Sequence, residues 1–231
     1  MASMPIFLVL VLATVASAQD KFRVRFDVDD VDGGSSGNFT VEVRPEWAPI
    51  GAERFADLVE KHFFDNTRFY RVITGFVAEF GISGDPEVTS AWSKKTLPDD
   101  AENDVGNHRG TLSFITDGKD DRSTRISINV KDNDYLDGKG YVPFAEVVEG
   151  MFVVDRLFSR YGRDVTSAPD RNRIEKEGND YLDKDFPQLS KIHAARIVDM
   201  PDLRLPYSSA PSLTSCVSSW LSSWKSHLVG A

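Results

Sequence analysis

The chain has 231 residues but a single cysteine, Cys216, so no intramolecular disulfide can staple it, and its core must hold by burial alone. Histidine is scarce as well. His62, His108, His193 and His227 stand far apart, and without a His-Glu-x-x-His helix or paired cysteines the usual zinc sites are excluded. There is no Gly-rich phosphate loop and no Gly-x-Ser-x-Gly elbow, so nucleotide-binding and serine-hydrolase chemistry lack their usual parts. Basic residues are outnumbered, with 27 Lys and Arg against 36 Asp and Glu. The net charge of -9 argues against nucleic acid as a partner. What remains, 41% hydrophobic and 27% charged residues with 16 Gly and 11 Pro, excludes collagen-like, disulfide-scaffold and disordered classes. Such a length suits one large domain or two small ones.

One apolar run stands at the start, Pro5 to Val15 followed by Ala16-Ser17-Ala18. At about eleven residues it is too short to cross a bilayer and reads as the core of a signal peptide, residues 1–18, with cleavage expected before Gln19. Residues 1–18 carry no charged side chain, so the whole -9 rests on the following 213. The expected location is the secretory pathway and then outside the cell, because no Lys-Asp-Glu-Leu-type signal ends the chain. There Cys216 is a free thiol or an intermolecular bridge, and Asn38-Phe39-Thr40 is a sequon for glycosylation.

From Lys21 to Asp29, Phe22, Val24, Phe26 and Val28 alternate with polar residues, the pattern of a half-buried strand. After turn chemistry at Asp30 to Gly37, the alternation resumes at Phe39, Val41 and Val43, which predicts a hairpin. The acidic cluster in its turn does not fit a calcium loop, since the closing glutamate position falls on Phe39. Ala52, Phe55, Ala56, Val59 and Phe63 recur at helical spacing. Phe69 to Ile82 reads as two strands around a bend at Gly75, and Asp85 to His108 as a long irregular loop. Strands are predicted at Thr111–Ile115, Ile126–Val130, Tyr141–Val147 and Ile192–Val198, a second main helix over Gly150–Tyr161 and a short one over Ile174–Asp185. Many short strands with two principal helices predict a closed or nearly closed antiparallel barrel with helices at its ends. From Pro201 the composition shifts to Ser, Pro, Leu and Trp, with Leu213, Val217, Trp220, Leu221, Trp224 and Leu228 forming one helical stripe. With one Lys beside that stripe, contact of the tail with an anionic membrane is at most weak. The expected partition is residues 1–18, a domain over 19–200 and a tail over 201–231.

At Phe69-Tyr70-Arg71-Val72-Ile73-Thr74-Gly75-Phe76 the sequence resembles the cyclophilins, the peptidyl-prolyl cis-trans isomerases. The likeness continues through Gly110-Thr111-Leu112-Ser113-Phe114, Tyr135-Leu136-Asp137-Gly138, Val142-Pro143-Phe144 and Val147-Val148-Glu149-Gly150-Met151, from about Phe39 to Val198. The resemblance implies a mainly β fold, a closed eight-stranded antiparallel barrel capped by two α-helices. It also implies a rotamase that needs no cofactor or metal and takes proline-containing peptides or protein clients. The barrier to be lowered is ~18–20 kcal/mol, most of it amide resonance. By resemblance Arg71 and Phe76 are catalytic. The guanidinium holds the substrate carbonyl and donates toward the prolyl nitrogen as the bond twists, while Phe76, Val77 and Leu136 grip the proline ring.

Several expected substrate-binding positions depart from the family. Glu79 and Arg125 replace two Gln, Ser127 replaces the aromatic that closes the proline pocket, and Ile115-Thr116 replaces Ala-Asn. Tyr135 replaces Trp, and the usual His falls at Gly140 or Tyr141. The new opposite charges imply that Glu79 pairs with Arg125, with Arg71 or with both. A second reading therefore stands beside the isomerase: a catalytically weakened cyclophilin-fold module that binds proline-containing segments.

Overall fold

A computed structural model describes residues 20–162 and 168–199. The expected signal peptide, tail helix and Cys216 lie outside them. Strands β1 (Phe22–Val31) and β2 (Ser35–Val43) form the predicted hairpin, with Phe22, Val24, Phe26 and Val28 facing Phe39, Val41 and Val43 inside the core. The pairing runs further than expected, leaving only Asp32, Gly33 and Gly34 as the turn. Asp32 and Gly33 take left-handed backbone there, and the register slips between Val28 and Val31. Helix α1 (Pro49–Glu60) opens on a proline at its first turn, where no backbone donor is wasted, and buries Ala52, Phe55, Leu58 and Val59.

The remaining strands are β3 (Thr67–Arg68), β4 (Arg71–Val72), β5 (Val77–Phe80), β6 (Thr111–Phe114), β7 (Ile126–Asn129), β8 (Pro143–Glu149) and β9 (Lys191–Asp199). All ladders are antiparallel, in the order β3-β9-β1-β2-β8-β6-β7-β5-β4. The expected mainly β antiparallel architecture is present, with two differences of detail. The described strands number nine, and β3 and β4 end the curled sheet without pairing with each other. Phe69 and Tyr70 alone separate these two edges in sequence, so the chain itself spans the seam.

The helices differ more. Within the expected loop, α2 (Pro86–Ser93) is capped by Asp85, whose carboxylate accepts from Glu87 N at 2.8 Å. Asp85-Pro86, read as the start of the loop, is here an N-cap followed by a first-turn proline. The helix predicted over Gly150–Tyr161 shrinks to a single turn, α3 (Met151–Val154). Beyond it the backbone finds partners elsewhere: Arg156 O accepts from Asp32 N, and Phe158 N donates to Ser190 Oγ. Helix α4 (Arg171–Asp185) starts three residues early, at an Asp170 cap, and breaks at Gly178 (φ 59°, ψ -141°). A side chain at Gly178 would collide with the Gly84 carbonyl, which instead accepts from Asn179 N at 2.9 Å. Among the described residues no helix is long and apolar enough to cross a membrane.

Candidate functional site

Strand alternation sorts the sheet into two faces. Val72, Ala78, Ile128 and Leu112 are paired neighbours that point into the core. The adjacent pairs, Arg71↔Glu79, Glu79↔Ser127 and Ser127↔Ser113, therefore form a polar row on the other face of β4, β5, β7 and β6. Within the row Arg71 Nη1 donates to Glu79 Oε1, the Arg71 side chain being 38% exposed and that of Glu79 13%. Ser127 and Ser113, both buried, place their hydroxyls 3.3 Å apart. Arg125 does not join Glu79. Its Nη2 reaches Asp117 Oδ2 at 2.6 Å, so of the two expected partners Glu79 has only Arg71.

Beyond β4 the chain turns at Gly75 (φ 72°), with Ile73 N donating to Val77 O and Phe76 N to Ile73 O. This hairpin brings Phe76 beside the 3-10 turn Asp134–Leu136, where its ring lies 5.7 Å from that of the exposed Tyr135. Lys139 Nζ sits over the Tyr135 ring, 5.0 Å from its centre. The Tyr141 hydroxyl donates to Thr116 O at 3.4 Å. Val77, Ile115 and Leu136 are almost fully buried. Thr116 and Asp117 also border an open cleft of about 540 Å³, together with Glu102, Lys119 and Lys139.

Burial pushes the Glu79 carboxyl above its ordinary value, although the charge and hydrogen bond of Arg71, and then Arg125 and Arg171, pull it down. Burial also raises the Tyr141 hydroxyl, with Glu79 and Asp117 adding to the rise. At Asp117 burial acts upward, but the bonds and charges of Arg125 and Arg171 outweigh it and hold the group low.

A set of buried amides beneath the site was not anticipated. Asn133 Nδ2 donates to Phe76 O at 3.0 Å and to Asn129 Oδ1 at 2.7 Å. Asn129 Nδ2 donates to Asn107 Oδ1 and Thr111 Oγ1, and Asn107 Nδ2 to Asp137 Oδ1 and Tyr141 O. This chain ties the Phe76 loop to the segment that carries Tyr135 and Tyr141. Its one sequence signal is Asn129, which together with Ser127 alternates with the apolar residues of β7. Asp117, in the turn before Gly118, is also the anchor of Arg125.

The curled antiparallel sheet thus carries Arg71 on its outer face and the Phe76–Tyr135 ring pair in the loops beside it. The family model for the cyclophilin type peptidyl-prolyl cis-trans isomerase matches residues 25–177, and the chain belongs to that family. It is 35% identical over 129 residues to peptidyl-prolyl cis-trans isomerase B of Escherichia coli, covering 52% of this chain and 78% of the relative. It is 36% identical to peptidyl-prolyl cis-trans isomerase A of Dickeya dadantii, covering 53% and 67%. A crystal structure of a Cryptosporidium parvum cyclophilin type isomerase superposes with a TM-score of 0.56 at 19% identity, over 79% of this chain and all of that one. That protein was also solved in the presence of the dipeptide Ala-Pro, with a TM-score of 0.55 at 18% identity over 77% of this chain and 99% of that one.

Proposed function

We propose that this chain isomerises Xaa-Pro bonds at the row containing Arg71, acting on protein clients in the secretory pathway or outside the cell. One observation carries the catalytic part: a partly exposed guanidinium on the outer face of β4, five residues before Phe76, whose ring meets that of Tyr135. In the planar amide the nitrogen lone pair is shared with the carbonyl, and rotation returns it to the nitrogen. A donor that holds the carbonyl and then faces that lone pair stabilises the twisted form more than the planar one, the condition for acceleration. Phe76, with the buried Val77 and Leu136, supplies the apolar surface for the proline ring. Thr116, Arg125 and Tyr141 are placed to border the flanking peptide, while Ile115 and Ser127 are buried. Ala-Pro in the related parasite structure supports a proline-containing ligand.

The test is a protease-coupled assay on an Xaa-Pro peptide, comparing wild type with Arg71→Ala. Removal of one positioned donor is expected to cost about 10²-fold in kcat/KM, whereas equal background rates in both proteins would remove the enzyme reading. The binding-module reading draws on two observations: Glu79 holds Arg71, and Ser127 offers no ring where a lost Phe removes up to about 3 kcal/mol of apolar contact. Peptide affinity retained at background rates in both proteins would select it.

Export is supported by the apolar run Pro5–Val15 with its small-residue exit and by the exposed Asn38 of the sequon. Full-length chain expressed in a eukaryotic secretory host is expected in the medium, beginning at Gln19 and losing mass on glycosidase treatment. Cell-retained chain that still carries residues 1–18 sinks this part.

A further inference from the structure

Two buried donors near the row have no hydrogen-bond partner among the described residues: the Tyr70 hydroxyl and Arg125 Nη1. Buried polar groups are ordinarily paired, so two such orphans beside one carboxylate call for an acceptor that reaches them in another state. Glu79 is that carboxylate. Arg125 lies two residues before Ser127, the partner of Glu79, so its side chain leaves the same face of the sheet on the diagonal, about 7–8 Å between Cα atoms. That span is within reach of two long side chains. Tyr70 directly precedes Arg71 and its hydroxyl is buried; burial raises its titration, and so does the Glu79 charge, while Arg125, Arg171 and Arg71 pull it down. Its ring is fixed in the small second core with Ile82, Ile174, Tyr181, Leu182 and Leu189, which leaves the hydroxyl no freedom to seek solvent.

Resting on the isomerase reading, we propose that Tyr70 and Arg125 form a second berth for the Glu79 carboxylate, which leaves Arg71 when a substrate carbonyl takes its place. In the resting state Glu79 accepts from Arg71, and two donors stay unpaired. In the bound state Arg71 Nη1 donates to the peptide carbonyl, while Glu79 accepts from Arg125 Nη1 and the Tyr70 hydroxyl. No proton moves and no charge is stranded. Asp117 stays on Arg125 Nη2 throughout, because the two guanidinium nitrogens serve different acceptors. Tyr70 and Arg125 are thus positioning residues that act through Glu79.

The experiment is a double-mutant cycle on the full chain: wild type, Tyr70→Phe, Glu79→Gln and the double variant, each read by kcat/KM on an Xaa-Pro peptide and by thermal melting. Tyr70→Phe removes only an unpaired hydroxyl, so the melting temperature should hold or rise. Its kcat/KM should nonetheless fall about tenfold, the weight of one charge-assisted hydrogen bond, mainly through a higher KM. On the Glu79→Gln background the same change should have no effect. An unchanged kcat/KM in Tyr70→Phe, or the same loss on both backgrounds, overturns the berth. If wild type and Arg71→Ala both sit at background, the isomerase reading fails on its own. The cycle is then read as affinity for an Ala-Pro-containing peptide, where coupling supports the berth, and additivity or no binding overturns it.

Discussion

At Arg71 the donor and its brake stand side by side. The motif around Phe69 to Phe76 marks Arg71 in the sequence, but two cations were available to Glu79, and only the β4–β5 register, with Arg71 directly opposite Glu79, decides between them. With Glu79 ionised, the guanidinium is partly engaged, so Glu79→Gln should raise kcat/KM about tenfold, by the weight of one charge-assisted bond. Burial raises the Glu79 carboxyl against the pull of Arg71, Arg125 and Arg171. Wild-type kcat/KM should therefore climb as pH falls through that raised value, while the Glu79→Gln profile stays flat there; parallel profiles would refute the brake. The stability sign runs the same way. A carboxyl raised in the folded state favours folding while protonated, and that contribution is lost as pH rises through the folded value. Glu79→Gln should accordingly melt higher than wild type at neutral pH, with the gap closing below the usual carboxylate range in calorimetry.

Elements that lack their own terminal chemistry borrow it. Helix α1 has no side-chain cap at Ala48, and Asp100, fifty residues on, accepts from Ile50 N at 2.8 Å and Gly51 N at 2.9 Å. Arg122, itself 1% exposed, balances that carboxylate at 3.0 Å. Asp100→Ala should cost about 1–3 kcal/mol in denaturant unfolding, because it uncaps the helix and removes the nearer of the two carboxylates that balance Arg122, leaving only Asp99 at 3.5 Å. The stretch from Asp85 to His108, polar and irregular in sequence, is therefore pinned to the fold at Asp100. The amide chain does comparable work under the site. Asn129→Leu strands donors on Asn133 and should destabilise by about 1–3 kcal/mol per orphaned group, with kcat/KM falling as the Phe76 loop loosens. An unfolding curve that superposes on wild type would refute the support role. Helical spacing misled at Gly150–Tyr161 because apolar residues at such intervals also suit a chain that turns once and then bonds to the β1–β2 turn. Periodicity reports which side chains are buried, and leaves open where the backbone's own bonds go.

Across the whole molecule one ring cluster joins the parts. Phe26 stacks on Phe39 at 4.9 Å and meets Phe55, Phe64 and Phe80, linking β1, β2, α1 and β5. Phe26→Ala should cost about 3–5 kcal/mol of folding stability, and a loss below 1 kcal/mol in equilibrium denaturation would show that the core collapses around the gap. Phe26 and Phe39 were legible from alternation, as were the hairpin and most strand segments, and Phe55 with the first helix from helical spacing, because burial on one face imposes a period that the sequence must carry. The family motifs came from resemblance. The order of nine strands, the unpaired edges at β3 and β4, the partner of Glu79, the cap supplied by Asp100 and the amide chain could not be read that way. Each joins residues far apart along the chain, or selects one of several equivalent charges. Sequence by itself determined much of the apolar core and which family the chain resembles, since both are properties of local pattern. Only the tertiary structure decided which polar groups meet, because a hydrogen bond or ion pair depends on register and distance, and these exist only once the sheet is assembled.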